Sequence, residues 1–289
     1  MPTADTIYEV TMLRLLQYLL FHGTSTDKSL CPQLEAGSRI LPRLTDVPCA
    51  QGCRLCSEIC PTGAISVGKG ISSVSLDRGK CISCSLCIDV CPPGTIIGEL
   101  STTTASLTRN GLIVGSHQDE TDELGAALLS PAAAKGSKNP FKRSIAARIV
   151  STGCSACDLE ISAAGNPIFD MERFGIHVVA SPRFADVLLV TGPVPKAMHD
   201  PLKRCYEAMA EPRKVIAVGT CAISGGVLSH GYTEANGIGD LVPVDAFVPG
   251  CPPHPWSIIH GILLSMGRLP ELSQLKAVEP QMRLGKKTS

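Results

Sequence analysis

Apolar positions along the chain follow two rhythms. After residue 144, short runs rich in β-branched side chains recur at 145-IAARIV-150, 176-IHVVA-180, 187-VLLVT-191, 215-VIAV-218 and 246-AFV-248. Between them lie segments of helical character, 200-DPLKRCYEAMAE-211 and 255-PWSIIHGILLSMG-267. Strands alternating with helices predict an α/β domain over 144–270, a mostly parallel sheet covered by helices that receives ligands at the carboxyl ends of its strands. Near the start, Ile7, Val10, Leu13, Leu16, Leu20 and Phe21 fall close to one helical stripe, predicting a helix over 6–22 that covers a neighbouring domain or docks on a partner. Residues 101–143, with 101-STTTAS-106, a short 111-GLIVG-115, acidic 119-DETDE-123 and 131-PAAAKGSKNP-140, read as a linker carrying one short helix near 122–130. The predicted divisions are therefore 1–44, 45–100, 101–143, 144–270 and a tail over 271–289.

Composition narrows the chemistry. Twenty-six basic residues balance twenty-six acidic ones and aromatic residues make up 4%, so neither an electrostatic footprint for nucleic acid nor a set of base-stacking platforms is present. The apolar runs 12-MLRLLQYLLF-21, 187-VLLV-190 and 258-IIHGILLSMG-267 are too short or too interrupted to span a bilayer. No basic n-region with an apolar run and a cleavage site opens the sequence, which predicts a cytoplasmic chain. Its 14 cysteines are then expected to be reduced, and most of them to be ligands for metal rather than disulfides, since a chain of this length buries a core without covalent staples.

The cysteines are organised. Laying 53-CRLCSEICPTGAI-65 over 84-CSLCIDVCPPGTI-96 superposes Cys53, Cys56, Cys60, Pro61, Gly63 and Ile65 on Cys84, Cys87, Cys91, Pro92, Gly94 and Ile96. With Cys81 in front, the second copy is the C-x-x-C-x-x-C-x-x-x-C-P run in which three cysteines hold one [4Fe-4S] cluster and the fourth reaches the other. The crossing rule gives Cys49, Cys53, Cys56 and Cys91 as one set and Cys81, Cys84, Cys87 and Cys60 as the second. Three residues rather than two separate Cys49 from Cys53, an insertion that a bulge at Gly52 can absorb; Cys31 is the substitute if it does not. Zinc prefers separated pairs and fits four closely spaced cysteines capped by proline less well. Residues 45–100 thus resemble a small α+β two-cluster ferredoxin domain.

Four further cysteines follow strand ends: Cys154 and Cys157 after the first strand, Cys221 after 215-VIAVG-219 and Cys251 after 246-AFVPG-250. One crevice would receive all four, as a third [4Fe-4S] cluster requires. Gly153, Gly219, Gly225, Gly226 and Gly250 flank them, where backbone must come close.

The segments 153-GCSACDLEI-161, 166-NPIFDMERFGIHVVASPRFADVLLVTGPV-194, 215-VIAVGTCAISGG-226 and 248-VPGCPPHP-255 resemble the small, cluster-bearing subunit shared by membrane-bound [NiFe] hydrogenases, including formate hydrogenlyases, and respiratory complex I. The resemblance implies a flavodoxin-like domain pressed on a large subunit, with its cluster nearest that subunit's active site. Complex I members carry two adjacent cysteines at the first position and hydrogenase-type members C-x-x-C, so Cys154 and Cys157 point to the hydrogenase branch. The implied role is a non-catalytic electron-transfer subunit with three [4Fe-4S] clusters, partnered by the large subunit, by membrane subunits that hold it peripherally at the inner face of the cell membrane, and by an electron donor. A complex I-like relay to quinone is the alternative, and a non-redox metal-binding assembly scaffold is the alternative of another class.

Glu160 corresponds to a family acid assigned to proton movement, and is otherwise a carboxylate in a first helical turn. His254 stands where the family has arginine and Phe184 where relatives have histidine. Cys205 shares a helix face with Leu202 and Met209 and belongs to the core. The chain shows no nucleophile-base motif, phosphate loop or dinucleotide fingerprint.

Overall fold

The structure, a computed structural model, describes residues 40–68, 74–115 and 140–269, with 14, 17, 25–27, 29–35 and 38. The apolar positions of the expected helix over 6–22, the expected short helix at 122–130 and the tail lie outside the described residues.

The C-terminal unit is built on five parallel strands, β6 (Ile145–Ser151), β7 (Ile176–Val178), β8 (Val187–Thr191), β9 (Lys214–Val218) and β10 (Ala246–Val248), ordered β10-β9-β8-β6-β7. Counted within the unit this is 2-1-3-4-5, the flavodoxin-like order, which reverses between β6 and β8 and opens a crevice there. Because side chains alternate across a strand, Val187, Leu189, Ile216 and Val218 pack into the core on one face, while Leu188, Val190, Val215 and Ala217 pack into the core on the other. Both faces are buried, which is why these strands read as unbroken apolar runs. The helices α3 (Ala156–Ala164) and α6 (Pro255–Ser265) contribute to the first core; α4 (His199–Glu207) and α5 (Thr220–Ser224) contribute to the second.

Every residue of α6 is buried, as expected of a helix apolar all round. Gly261 lets it close on Val248 and Ala105; the first atom of any side chain there would collide with Val248.

The N-terminal unit holds an antiparallel pair, β1 (Leu41–Leu44) with β4 (Ile96–Glu99), and a three-stranded sheet of β2 (Ile65–Val67), β3 (Val74–Asp77) and β5 (Ile113–Gly115). Two short helices, α1 (Leu55–Ile59) and α2 (Leu86–Asp89), carry the middle of each cysteine run. This unit extends on both sides of 45–100. Leu41 is buried in the β1–β4 pair, and residues 101–115, expected to be linker, are folded. Thr102 donates to the Pro32 carbonyl at 3.0 Å, Ser106 and Phe247 exchange backbone hydrogen bonds at 3.0 and 2.8 Å, and β5 pairs with β3. Of the small hydroxyl residues that made this stretch look like a tether, Thr102 and Ser106 are buried and hydrogen-bonded. Residues 116–139 lie outside the described residues.

Candidate metal centres

Each predicted cysteine set of the N-terminal unit surrounds its own cavity. Cys49, Cys53, Cys56 and Cys91 line one, with Val74, Thr95 and Ile96. Cys60, Cys81, Cys84 and Cys87 line the other, with Ala64, Ile65 and Leu76. The fourth cysteine of each run is therefore brought to the other run's cavity. Gly63 and Gly94, two residues beyond the prolines that follow Cys60 and Cys91, turn the chain with φ of 59° and 72°.

Backbone around the second cavity curls tightly. Ser83 and Ser85, on either side of Cys84, both have positive φ, and the Ser83 N–H donates to Cys81 Sγ at 3.4 Å. In the first copy the turn over Gln51 and Gly52 closes with Cys53 N–H donating to the Ala50 carbonyl at 3.1 Å, and Gly52 takes φ 74°. The extra residue is accommodated there and Cys49 keeps its place in the cavity. N–H groups reach two more sulfurs, Ala64 to Cys60 at 3.3 Å and Ile96 to Cys91 at 3.4 Å. Such donors stabilise negative charge on cluster sulfur.

In the C-terminal unit, β6 ends before Cys154 and Cys157, β9 before Cys221 and β10 before Cys251. The α3 helix is fixed to the sheet by the Thr191 hydroxyl, which donates to Asp158 at 2.6 Å; Thr152 accepts from Val194 N–H at 3.0 Å. Cys157 is buried and pushed up to about 12, first by burial and then by the charges of Cys251, Cys154 and Cys221 around it. Cys221 is pushed up to about 11 by burial and the charges of Cys251 and Cys154. In the second N-terminal set, burial drives Cys81 to about 11 and Cys87 to about 12. Burial also raises Cys56 and Cys49. Thiols gathered this way cannot all ionise beside one another unless a cation neutralises them.

The residues fit a cluster. Among the described residues no three Cys, His, Asp or Glu side chains meet closely enough for a single ion; the N-terminal cysteines surround space instead. The backbone also leaves room, since a Cβ on Gly219 would stand 2.5 Å from Cys157 Sγ and one on Gly226 3.2 Å from Cys221 Sγ.

The remaining residues named from sequence separate cleanly. Cys31 lies against the C-terminal core with its Sγ 3.7 Å from the Trp256 carbonyl, away from the cavity it was held in reserve for. Cys205 packs in the second core. His254 caps α6, its Nδ1 accepting from Trp256 N–H at 3.2 Å, and its ring meets Phe169 edge-on at 5.6 Å. Burial lowers its pKa, so it is held neutral. Glu160 is partly buried, which raises its pKa. Phe184 is exposed. Sequence reasoning passed over Thr220, whose hydroxyl donates to the Cys81 carbonyl at 2.7 Å and joins the two units; only its place beside Cys221 could have drawn attention to it.

Comparison with known proteins agrees with this division. Residues 154–264 match the family described as NADH ubiquinone oxidoreductase, 20 Kd subunit, and residues 49–95 match the 4Fe-4S dicluster domain. Over 123 residues, 42% of this chain and 82% of the relative, it is 50% identical to an uncharacterised protein of Methanocaldococcus jannaschii. It is 44% identical over 122 residues to a probable membrane-bound hydrogenase subunit of Pyrococcus furiosus, covering 42% of this chain and 73% of that one. Formate hydrogenlyase subunit 7 of Escherichia coli is 43% identical over 122 residues, 42% of this chain and 48% of that protein.

Proposed function

Since the chain belongs to the NADH ubiquinone oxidoreductase, 20 Kd subunit, family, we propose that it is the electron-transfer subunit of a multisubunit [NiFe] hydrogenase complex, with three [4Fe-4S] clusters. The carrying observation is the pair of cysteine-lined cavities docked, through Thr220 and Cys81, onto a unit whose four cysteines all follow strand ends. The C-x-x-C spacing of Cys154 and Cys157, together with the formate hydrogenlyase and membrane-bound hydrogenase relatives, favours the hydrogenase branch.

A [4Fe-4S] cluster supplies one-electron redox chemistry when bound, at a potential set by charge, hydrogen bonds and solvent exposure. The chain's own residues do the rest. Cys49, Cys53, Cys56 and Cys91 hold the first group, Cys60, Cys81, Cys84 and Cys87 the second, and Cys154, Cys157, Cys221 and Cys251 the third. The Ala64, Ser83 and Ile96 N–H groups offset negative charge on the sulfurs, and Leu76 and Ile96 keep water out. Leu159, Val227 and Leu228 stay exposed close in sequence to Cys157 and Cys221, and provide apolar surface for the large subunit. Glu160 holds a proton to higher pH than an ordinary carboxylate and serves as a relay beside that surface. No helix among the described residues is long and apolar enough to cross a membrane; on this reading partner subunits attach the chain to the inner face of the cell membrane.

Anaerobic purification of the complex through a tag on this chain tests the reading. About twelve irons per chain, nickel in the copurifying large subunit and H2-dependent dye reduction are expected. Full iron without nickel or hydrogen activity would sink the hydrogenase reading and leave the complex I-like relay that the family description favours, with quinone as the acceptor then to be tested.

A further inference from the structure

The joint between the two units is built around one side chain. Thr220 opens α5, precedes Cys221 and is 1% exposed. Its hydroxyl stands 2.7 Å from the carbonyl oxygen of Cys81 and 3.2 Å from that of Gly250, and its peptide N–H donates to the same Gly250 carbonyl at 3.0 Å. A hydroxyl has one proton, and the shorter distance assigns it to Cys81. Gly250 in turn precedes Cys251. One buried threonine therefore ties the backbone of a cysteine in the second N-terminal set to the backbone beside two cysteines of the C-terminal set.

Neighbouring contacts hold this joint closed. Ser224 donates to the Gly79 carbonyl at 2.8 Å. Gly79 leaves no room for a side chain, because a Cβ there would stand 2.8 Å from the Arg109 guanidinium and 2.9 Å from Ile223. Arg109 grips Asp77 through two bonds of 2.8 and 2.6 Å, and Asp77 accepts from Gly79 N–H at 2.9 Å. The turn that delivers Cys81 is thus clamped against α5 from both sides.

Resting on the function proposed above, we infer that Thr220 is the positioning residue that couples the set Cys60, Cys81, Cys84 and Cys87 to the set Cys154, Cys157, Cys221 and Cys251. On this inference the set at Cys81 is the one that exchanges electrons with the C-terminal unit, and the set at Cys49 is the outer station. The route is continuous, with a single hydrogen bond in it: from Cys81 to its carbonyl, to the Thr220 hydroxyl, through Thr220 Cβ and Cα, and by the peptide into Cys221. Each crossing electron oxidises one side of the joint and reduces the other by one unit, and no bond forms or breaks. The hydroxyl proton stays on Thr220.

Low-temperature EPR of the full complex, purified anaerobically and reduced with dithionite, tests this. Wild type and Thr220→Ser are expected to share one magnetic splitting between the signals of the two sets. Thr220→Val is expected to keep its iron and show a smaller splitting. Ser224→Ala loosens the same joint off the route and is expected to keep it. A Thr220→Val complex with full iron and wild-type splitting overturns the inference, as does a Thr220→Ser complex with full iron and a smaller splitting. Should Thr220→Val fail to assemble, the other two variants decide, and a smaller splitting in Ser224→Ala counts against a special place for Thr220. Failure of the underlying function is distinguishable, because wild type would then lack iron or these signals altogether.

Discussion

Gly219 lies so close to Cys157 that the first atom of any side chain placed on it would stand 2.5 Å from the Sγ, and its φ of 88° belongs to the region that favours glycine. The end of β9 is therefore shaped to leave room for the Cys157 side chain. Gly219→Ala is expected to expel the group at Cys154, Cys157, Cys221 and Cys251. Iron should fall by about four per chain, while EPR signals from the N-terminal sets persist. Retention of all the iron would contradict the cradle.

Cys49 lines a cavity with Cys53, Cys56 and Cys91, whereas Cys31 rests against Trp256. Cys49→Ser is expected to remove or convert one N-terminal cluster, seen as lost iron and an altered EPR spectrum. Cys31→Ser should keep the full iron content. The reverse result would reinstate Cys31 as the ligand.

His260 is buried in the middle of α6 with neither ring nitrogen paired, and burial draws its pKa down to about 4. In the unfolded chain imidazole takes its proton near pH 6.5, at about the ordinary value. Between the two values the unfolded chain binds a proton that the folded chain refuses, so this contribution to stability is present above about pH 6.5 and lost as pH falls toward about 4. His260→Leu is expected to flatten that slope, by on the order of 3 kcal/mol at its acid end. Urea unfolding of both proteins at about pH 7 and about pH 5 measures it; equal slopes would refute the assignment.

Glu160 has its pKa raised by burial and follows Cys157 by three residues. If it carries protons, Glu160→Gln should slow hydrogen turnover while leaving iron content and reduction by dithionite unchanged. Glu160→Asp should recover part of the rate. Undiminished turnover in Glu160→Gln would reduce the residue to an ordinary helical carboxylate, and not one in the first turn as expected from sequence, since that place in α3 belongs to Asp158.

The grouping of the N-terminal cysteines and the sheet were legible because their signals are local: fixed spacing for the cysteines, unbroken apolar runs for strands such as Val187–Thr191 buried on both faces. The fold of residues 101–115 was not. Thr102 and Ser106 carry no periodic apolar signal, and what buries them is long-range partners, Pro32 and Phe247, that composition cannot reveal. Thr220 was invisible for the same reason, since its partner Cys81 lies 139 positions away. His254, singled out for standing where the family has arginine, turned out to serve as a helix cap.

The backbone exchange between Ser106 and Phe247, followed by the pairing of β5 with β3, means that the chain crosses from one unit to the other and returns before residue 116. A gene split after residue 100 would hand the C-terminal fragment a strand that belongs to its neighbour, and would leave Asp77 on one fragment and Arg109 on the other. Two fragments divided between 115 and 140 would each keep their own strands, with the Thr220, Ser224 and Ser106 contacts as the adhesive for reassociation. Wherever these two units are encoded separately, the natural border on this architecture lies after β5.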